Sequence, residues 1–282
     1  MDVSSRAVDG AGDGAVDGSM GRDRGWLSEL VGARWLLLQW VRRDFTVQYR
    51  QSFLGVAWAV VQPLLLLVTY GFVFSAVLKV TAPEGSYVVF ALCGLVPWSF
   101  VSSAVNRGVG SVANATVVVR QVRFPRAVIS LAATGVTTID LGLATVVLLV
   151  TQVVANHELH LSTLALIPLY VALVLLLSAV AVVLGLLGVF VRDVRFVIPL
   201  LLQVAFIATP VMYPASLVPE RWSWVYKLNP VAWVIGAVRD AVISGTWPSV
   251  RLLLGLLAAG VVALALALRY SAAVEDRVTD LL

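Results

Sequence analysis

The sequence contains few of the residues that carry catalysis, metal binding or disulfide chemistry. Its 282 residues include one cysteine and two histidines, and only 13% are charged. Cys93 cannot form an internal disulfide, and its apolar surroundings favour a packing role. The two lysines, Lys79 and Lys227, do not follow the glycine-rich loop that holds nucleotide phosphates. We therefore do not expect this chain to hydrolyse ATP by itself.

Two groups of possible metal ligands do not match known metal-binding patterns. His157 and His160 are three residues apart, whereas a zinc-protease helix needs histidines four residues apart with a glutamate beside the first. The repeated aspartates of residues 9–17 lack the alternating ligands and the closing glutamate of a calcium loop. We expect no metal site, and the chain is predicted not to be an enzyme.

Apolar residues dominate the chain. They make up 60% of it, and its mean hydropathy is +0.94, far from the balance of a soluble domain. Apolar runs recur at the length of about 17–25 residues that a membrane-crossing helix needs. The sequence therefore predicts an all-α integral membrane protein with six transmembrane helices, at about residues 53–78, 87–106, 127–154, 164–191, 197–212 and 250–268.

The segments before the first span differ from this apolar region. Residues 1–25 are rich in glycine, aspartate and arginine, so we expect a disordered cytoplasmic tail. Residues 26–50 are predicted to form an amphipathic helix lying in the membrane interface, the first part of a transmembrane domain over 26–282. Its polar side includes Arg43 and Arg50, and its apolar side comprises Leu27, Leu30, Val31, Leu37, Leu38, Val41, Phe45 and Tyr49.

The stretch after the fifth predicted span, residues 214–247, is too polar for a simple span and too apolar for an ordinary loop. One interpretation is two short re-entrant helices broken near Asn229 and Pro230, since non-helical backbone at membrane depth must be enclosed by protein or water. The other is an extracellular loop held at the headgroups by its tryptophans.

Positive charges predict the orientation. The amino-terminal segment and the other segments on its side of the membrane hold 15 of the 20 lysines and arginines. The segments on the other side hold 5. The positive-inside rule therefore places both termini, including the tail at 269–282, in the cytoplasm.

Two short basic loops then face the cytoplasm. RQVRFPR, residues 120–126, and VRDVRF, residues 191–196, each combine arginines with a phenylalanine. They are interpreted as docking elements for a partner that supplies energy, although topogenic arginine would explain the charge alone. In the second loop the docking candidates are Arg192, Asp193 and Arg195.

Asp140 stands alone as an acid near the middle of the third predicted span. A charge at that depth is costly and by default marks a functional or paired position. Asp140 could serve as a packing acid, as a pore-lining residue or as a proton relay. The absence of a second titratable group nearby in the sequence favours a packing or pore-lining role.

The chain resembles the permease subunits of ABC transporters that export polysaccharides such as O-antigen, capsule and teichoic acid. The resemblance covers about 240 residues and rests on five stretches in the same order: 42–75, 90–105, 114–129, 191–203 and 209–243. It implies a homodimer of six-span subunits in the bacterial inner membrane, bound to two copies of a separate ATPase that carries ATP and magnesium. This chain is then expected to carry no cofactor and to bind no nucleic acid.

The resemblance also assigns roles to residues. It implies that Arg120, Arg123, Phe124, Pro125 and Arg126 belong to the region that couples to the ATPase, although many relatives have an aromatic residue where this chain has Arg123. Residues 26–50 correspond to a cytoplasmic gate helix. The extracellular gate corresponds to the tryptophan-rich stretch, with Trp222, Trp224, Asn229, Pro230 and Trp233.

A lipid-linked glycan is the substrate that the resemblance implies. Guanidinium groups bind phosphate oxygens in a fork geometry, so Arg42, Arg43 and Arg50 are candidates for the lipid pyrophosphate. Sugars stack on aromatic rings, and the channel candidates are Tyr70, Phe72, Phe74, Trp98, Phe100 and Asp140. The alternatives are an ABC permease for a small hydrophobic drug and an ion-coupled secondary transporter, which would need coupling-ion ligands.

Overall fold

The computed structural model describes residues 34–50, 53–73, 86–115 and 124–281, and within these ranges it consists of helices joined by short turns. Arg120, Arg123 and Phe74, together with residues 1–33, lie outside the described residues. Numbered in chain order, the α-helices of the described residues are α1 (Arg34–Arg50), α2 (Trp58–Gly71), α3 (Tyr87–Asn114), α4 (Ala127–Asn156), α5 (Leu166–Phe190), α6 (Val194–Ala208), α7 (Ser223–Leu228), α8 (Pro230–Val242) and α9 (Val250–Leu281).

Four helical segments are long and apolar enough to cross a membrane. They are Tyr87–Asn114, Ala127–Asn156, Leu161–Phe190 and Val250–Val274, which confirms the prediction of an all-α protein with several spans. The third begins with a 3₁₀ turn, Leu161–Ala165, that leads directly into α5.

Two further helices fall where the first and fifth spans are predicted, but they are shorter. α2 has 14 residues and α6 has 15. At a rise of 1.5 Å per residue α6 extends over about 23 Å, less than the hydrocarbon core of about 30 Å, whereas α2 follows the 3₁₀ turn Gly55–Ala57 directly and residues 74–85 beyond it are not described. The six-span topology therefore stays a prediction.

α3 is the central helix. Residues 89–98 are buried without interruption, because α2, α4, α5, α6 and α8 all pack against it. Small residues allow α3 and α5 to approach closely, as is usual between membrane helices. A Cβ on Gly108 would lie 2.7 Å from Cα of Ala181, and one on Gly188 would meet the carbonyl oxygen of Val109. These glycines fix the spacing of the two helices.

Side-chain contacts define the two ends of the helical bundle. At one end Ser111 of α3 meets Ser130 of α4 at 2.8 Å between hydroxyls, and Phe124 contacts Trp40. At the other end the Ser162 hydroxyl donates to the carbonyl of Ala241. Residues 124–126 of the first basic loop and residues 191–196 of the second lie at the first end, which we call the arginine-rich end.

α1 rises obliquely along α4. Trp40 packs in a cluster with Ile129 and Ala132, and a Cβ on Gly135 would lie 2.7 Å from Val41, one residue further along α1. Tyr49, two turns later, reaches Asp140. Later residues of α1 therefore contact later residues of α4. A helix lying flat in the membrane interface would instead contact α4 at a single turn. The interfacial placement of residues 26–50 stays a prediction.

Candidate functional site

A cavity of about 780 Å³ lies between α1, α2, α3, α4 and α6. Its wall combines apolar and aromatic groups with many uncharged polar side chains, and it includes one carboxylate and one guanidinium. Besides Tyr49 and Tyr213, the polar lining residues are Gln48, Gln62, Thr69, Ser99, Ser102, Ser103, Asn106, Arg107, Thr137, Asp140 and Gln203. Such a surface can exchange hydrogen bonds with a hydroxyl-rich solute.

The carboxylate of the cavity is held by α1. Tyr49 Oη donates a hydrogen bond of 2.6 Å to Oδ1 of Asp140, and the Tyr49 side chain is buried. Burial first, and then the bond to this carboxylate, raises the pKa of Tyr49. Of the interpretations of Asp140, the geometry agrees with a paired residue that lines a cavity.

The guanidinium of the cavity belongs to Arg107, which no site interpretation of the sequence included. Its Nη2 donates to Oε1 of Gln48 at 2.7 Å, so α1 is bonded to α3 as well as to α4. The predicted second span ends at residue 106, whereas α3 continues to Asn114. No sequence signal indicated this, because the run GVGSVAN after Arg107 contains two glycines, which disfavour a helix, yet α3 continues through it for seven residues beyond the arginine.

The aromatic channel candidates separate into two groups. Trp98 and Phe100 line the cavity, and Trp98 contacts Phe206 of α6 with ring centroids 5.7 Å apart. Phe72 is 66% exposed and does not line it. Phe74 and the side chain of Tyr70 are outside the described residues.

The three arginines predicted to bind pyrophosphate lie on α1 and outside the cavity lining. Arg42 and Arg50 are exposed. Arg43 is 3.0 Å from the Asp44 carboxylate, and its guanidinium stacks 3.9 Å above the Trp40 ring. Arg42 and Arg50 are therefore available to a ligand arriving from outside, whereas Arg43 is already engaged.

The first coupling segment is described from Phe124 onward. Phe124 contacts Trp40 of α1, with ring centroids 6.0 Å apart, and Pro125 is half-buried. Arg126 is only 5% exposed, and its Nη1 donates to the carbonyl oxygen of Phe124 at 2.8 Å. Its charge is not presented at the surface, so in this structure Arg126 holds the segment in shape.

The second coupling segment is more open. Arg192 and Asp193 are exposed, and Phe196 is 76% exposed. Arg195 is half-buried, and its Nη2 donates to the carbonyl of Gly188 at the end of α5 at 3.3 Å. The two loops therefore present different groups at the arginine-rich end.

The tryptophan-rich stretch forms two helices, α7 and α8, separated at Asn229. The Asn229 side chain caps α8 by accepting from the Val231 amide at 3.0 Å, and Pro230 takes the first helical position, where its missing amide proton costs nothing. Trp222, Trp224 and Trp233 are 51%, 57% and 43% exposed.

The loop after α6 is clamped by groups from α3 and α8. Arg239 donates to the carbonyl oxygens of Pro210 and Val211 at 2.9 and 2.6 Å, and it stacks 3.7 Å above the Phe90 ring. Tyr87 donates to the Met212 carbonyl at 3.1 Å. Sequence analysis counted Arg239 as an outer charge and missed this clamp, because its acceptors are backbone carbonyls that no residue pattern reveals.

No three histidine, cysteine or acidic side chains come together as a possible metal site within the described ranges. His160 pairs with Glu158 at 3.5 Å instead, and its ring lies against Gly245.

Comparison with known proteins gives the family. The profile described as "ABC-2 type transporter" matches residues 36–243. The chain is 34% identical over 213 residues to an O-antigen export system permease protein RfbA from Klebsiella pneumoniae, covering 75% of this chain and 81% of that protein. It is 29% identical over 241 residues to a protein of the same name from Myxococcus xanthus, covering 84% and 91%.

A polysialic acid transport protein, KpsM from Escherichia coli, is 26% identical over 205 residues, covering 72% of this chain and 79% of that protein. The match to the family profile extends from α1 through α8 and so includes every helix that lines the cavity. The chain belongs to the ABC-2 type transporter family, whose members are the membrane permease components of ABC transporters.

Proposed function

We propose that this chain is the permease subunit of an ATP-driven exporter that moves a lipid-linked polysaccharide from the cytoplasm to the outer face of the bacterial inner membrane. The observation that carries the proposal is the similarity to O-antigen and polysialic acid transport proteins over most of the chain. The cavity supports it, because amide and hydroxyl groups beside Trp98 suit a glycan better than a wholly apolar drug.

The energy comes from a separate ATPase, present in two copies, which binds ATP and magnesium. It docks at the arginine-rich end, which faces the cytoplasm together with both termini. Phe124 and the exposed Arg192, Asp193 and Phe196 are the contact groups of the described residues, and Arg120 and Arg123 extend the first segment. The contact of Phe124 with Trp40 then transmits the movement of the ATPase to α1, and Tyr49 carries it to the cavity.

The working unit is a homodimer. α2 and α6 are the short helices beside the cavity, they complete a six-span subunit, and no residue of α6 is buried. A second copy placed against these apolar faces would enclose a path between the subunits. At the opposite end, α7 and α8 form the extracellular gate as re-entrant helices, with the clamped loop after α6 below them.

The test is co-purification of the detergent-solubilised chain with its ATPase, followed by ATP turnover with and without lipid-linked oligosaccharide. Stoichiometric association and turnover stimulated by the oligosaccharide are expected. Stimulation by hydrophobic dyes alone would show a drug exporter. Failure of any ATPase to associate, combined with pH-driven transport that Asp140→Asn abolishes, would show an ion-coupled transporter and overturn the proposal.

A further inference from the structure

Arg107 is a positive charge inside the cavity without a matching negative partner. Its nearest recorded partner, Gln48, is a neutral amide. No carboxylate of the described residues lies within ion-pair distance of its guanidinium. The other charged group of the cavity, Asp140, is already bonded to the Tyr49 hydroxyl.

Arg107 is half-buried in the cavity wall, and its guanidinium makes no ion pair among the described residues. Arg107 lies seven residues before the end of α3 at Asn114, which is about 10 Å inside the helix end. Charged side chains within a membrane segment lose hydration and are retained where they pair or act on a ligand. The donors of Arg107 that the Gln48 amide does not occupy can bind an anionic ligand in the cavity.

The chemistry of the site indicates which ligand. A guanidinium presents its donors as a planar fork that matches the oxygens of a phosphate. The amides of Gln48 and Asn106 and the hydroxyl of Ser103 line the same cavity and can bind a polar head and a sugar, while α2 and α6 supply apolar walls for a lipid chain.

We propose that Arg107 anchors the phosphate-bearing head of a lipid inside the cavity. In the proposed function, on which this inference rests, that lipid is the glycan carrier. The exposed Arg42 and Arg50 of α1 then attract the head group from the membrane surface, and Arg107 holds it after it has entered. A resident anionic phospholipid would present the same phosphate chemistry, so the experiment separates the two sources.

The measurement is binding of a polyprenyl pyrophosphate to the permease and ATPase complex in phosphatidylcholine nanodiscs, with the uncharged polyprenol as reference. A parallel series replaces the pyrophosphate with phosphatidylglycerol. Arg107→Gln removes the positive charge, and Arg107→Lys keeps the charge without the planar fork of donors. Gln48→Ala removes the hydrogen bond between α1 and α3 but keeps the arginine. Arg269→Gln is the matched control, because Arg269 is an exposed arginine of α9 outside the cavity.

Arg107→Gln is expected to weaken pyrophosphate binding at least about tenfold, the effect of losing one charge-assisted pair. Arg107→Lys should be intermediate, Gln48→Ala should lose less than Arg107→Gln, and Arg269→Gln should bind as the wild type does. Size-exclusion profiles identify variants that misfold, and Arg107→Lys keeps the inference testable if Arg107→Gln is one of them.

Equal binding by Arg107→Gln and wild type, or equal binding of polyprenol and pyrophosphate, would overturn the inference. Equal losses in Gln48→Ala and Arg107→Gln would also overturn it, since Arg107 would then serve only to attach α1. If phosphatidylglycerol binds through Arg107 while no lipid-linked oligosaccharide stimulates ATP turnover, the anchor holds a membrane lipid, and it is the proposed export function that fails.

Discussion

Tyr49 donates a hydrogen bond of 2.6 Å to Asp140 across 91 residues of sequence, joining the end of α1 to the middle of the span α4. Asp140 lines the cavity within an apolar helical bundle, where a carboxylate without a hydrogen-bond donor would be unfavourable. The Tyr49 hydroxyl supplies that donor. Since α1 also contacts Phe124 through Trp40, it links the arginine-rich end to the cavity wall.

Tyr49→Phe is expected to lower the free energy of unfolding by about 1–3 kcal/mol, because it leaves Asp140 without its donor. Thermal unfolding in detergent measures the loss. The control is the double variant Tyr49→Phe with Asp140→Asn. Its free energy of unfolding should be little lower than that of Tyr49→Phe alone. Additive losses would show that the two side chains are not energetically coupled.

The same bond predicts a response to alkaline pH. Burial and the Asp140 carboxylate raise the pKa of Tyr49 above its ordinary value of about 10. A group whose pKa is raised by folding contributes its full stability below the unfolded-state pKa and loses it as the pH rises through the folded-state value. Above about pH 10, the thermal midpoint of the wild type should therefore fall faster than that of Tyr49→Phe. Parallel curves would contradict this account.

Phe124→Ala is expected to separate ATPase docking from activation. The substitution removes the contact with Trp40 and leaves the exposed groups of the second loop in place. Co-purification of the ATPase should persist, while stimulation of ATP turnover by lipid-linked oligosaccharide should fall several-fold. Trp40→Ala should reproduce the effect, and Leu161→Ala, an exposed leucine at the opposite end, should not. Full stimulation in Phe124→Ala would exclude this contact as the route of coupling.

Gly94→Ala is expected to destabilise the protein by about 1–3 kcal/mol through overpacking. A Cβ at this position would meet the carbonyl oxygen of Val211 in the clamped loop. Gly142→Ala is the matched control, because a Cβ on Gly142 has no neighbouring atom within 4 Å and alanine favours a helix. The two variants should move the thermal midpoint in opposite directions, and a similar shift in both would show that α3 does not press on this loop.

Arg239→Gln tests the clamp itself. Two carbonyl oxygens lose their charged donor, and each such bond contributes about 1.5–3 kcal/mol. We expect faster alkylation of a cysteine placed at Met212, which is only 1% exposed in this structure. Arg221→Gln, which alters an exposed arginine of the same region, is the control. An unchanged alkylation rate would mean that Tyr87 and the packing of the loop suffice to hold it.

Sequence patterns that extend over a single helix predicted most of the helices. The apolar runs around α3, α4, α5 and α9 have the length that a bilayer requires, so they can be identified without knowing their neighbours. The break at Asn229 followed from a capping side chain and a proline at adjacent positions. The helix α3 continues to Asn114, past the predicted end of the second span at residue 106, so the apolar run alone did not show where the helix ends.

The candidate site depended on contacts that are distant in sequence. Arg42, Arg43 and Arg50 were chosen for their place beside the first span, yet the guanidinium that lines the cavity is Arg107. Arg126 was expected at a docking surface and is buried against its own loop. Charge and spacing are visible in a sequence, but the direction in which a side chain points depends on which helices pack beside it.

The sequence by itself determined that this protein is helical and lies in a membrane, because span length and composition act within a few turns of chain. Only the tertiary structure decided that Tyr49 satisfies Asp140 and that Arg107 faces the cavity, since lateral packing of helices brings together groups that no local pattern relates.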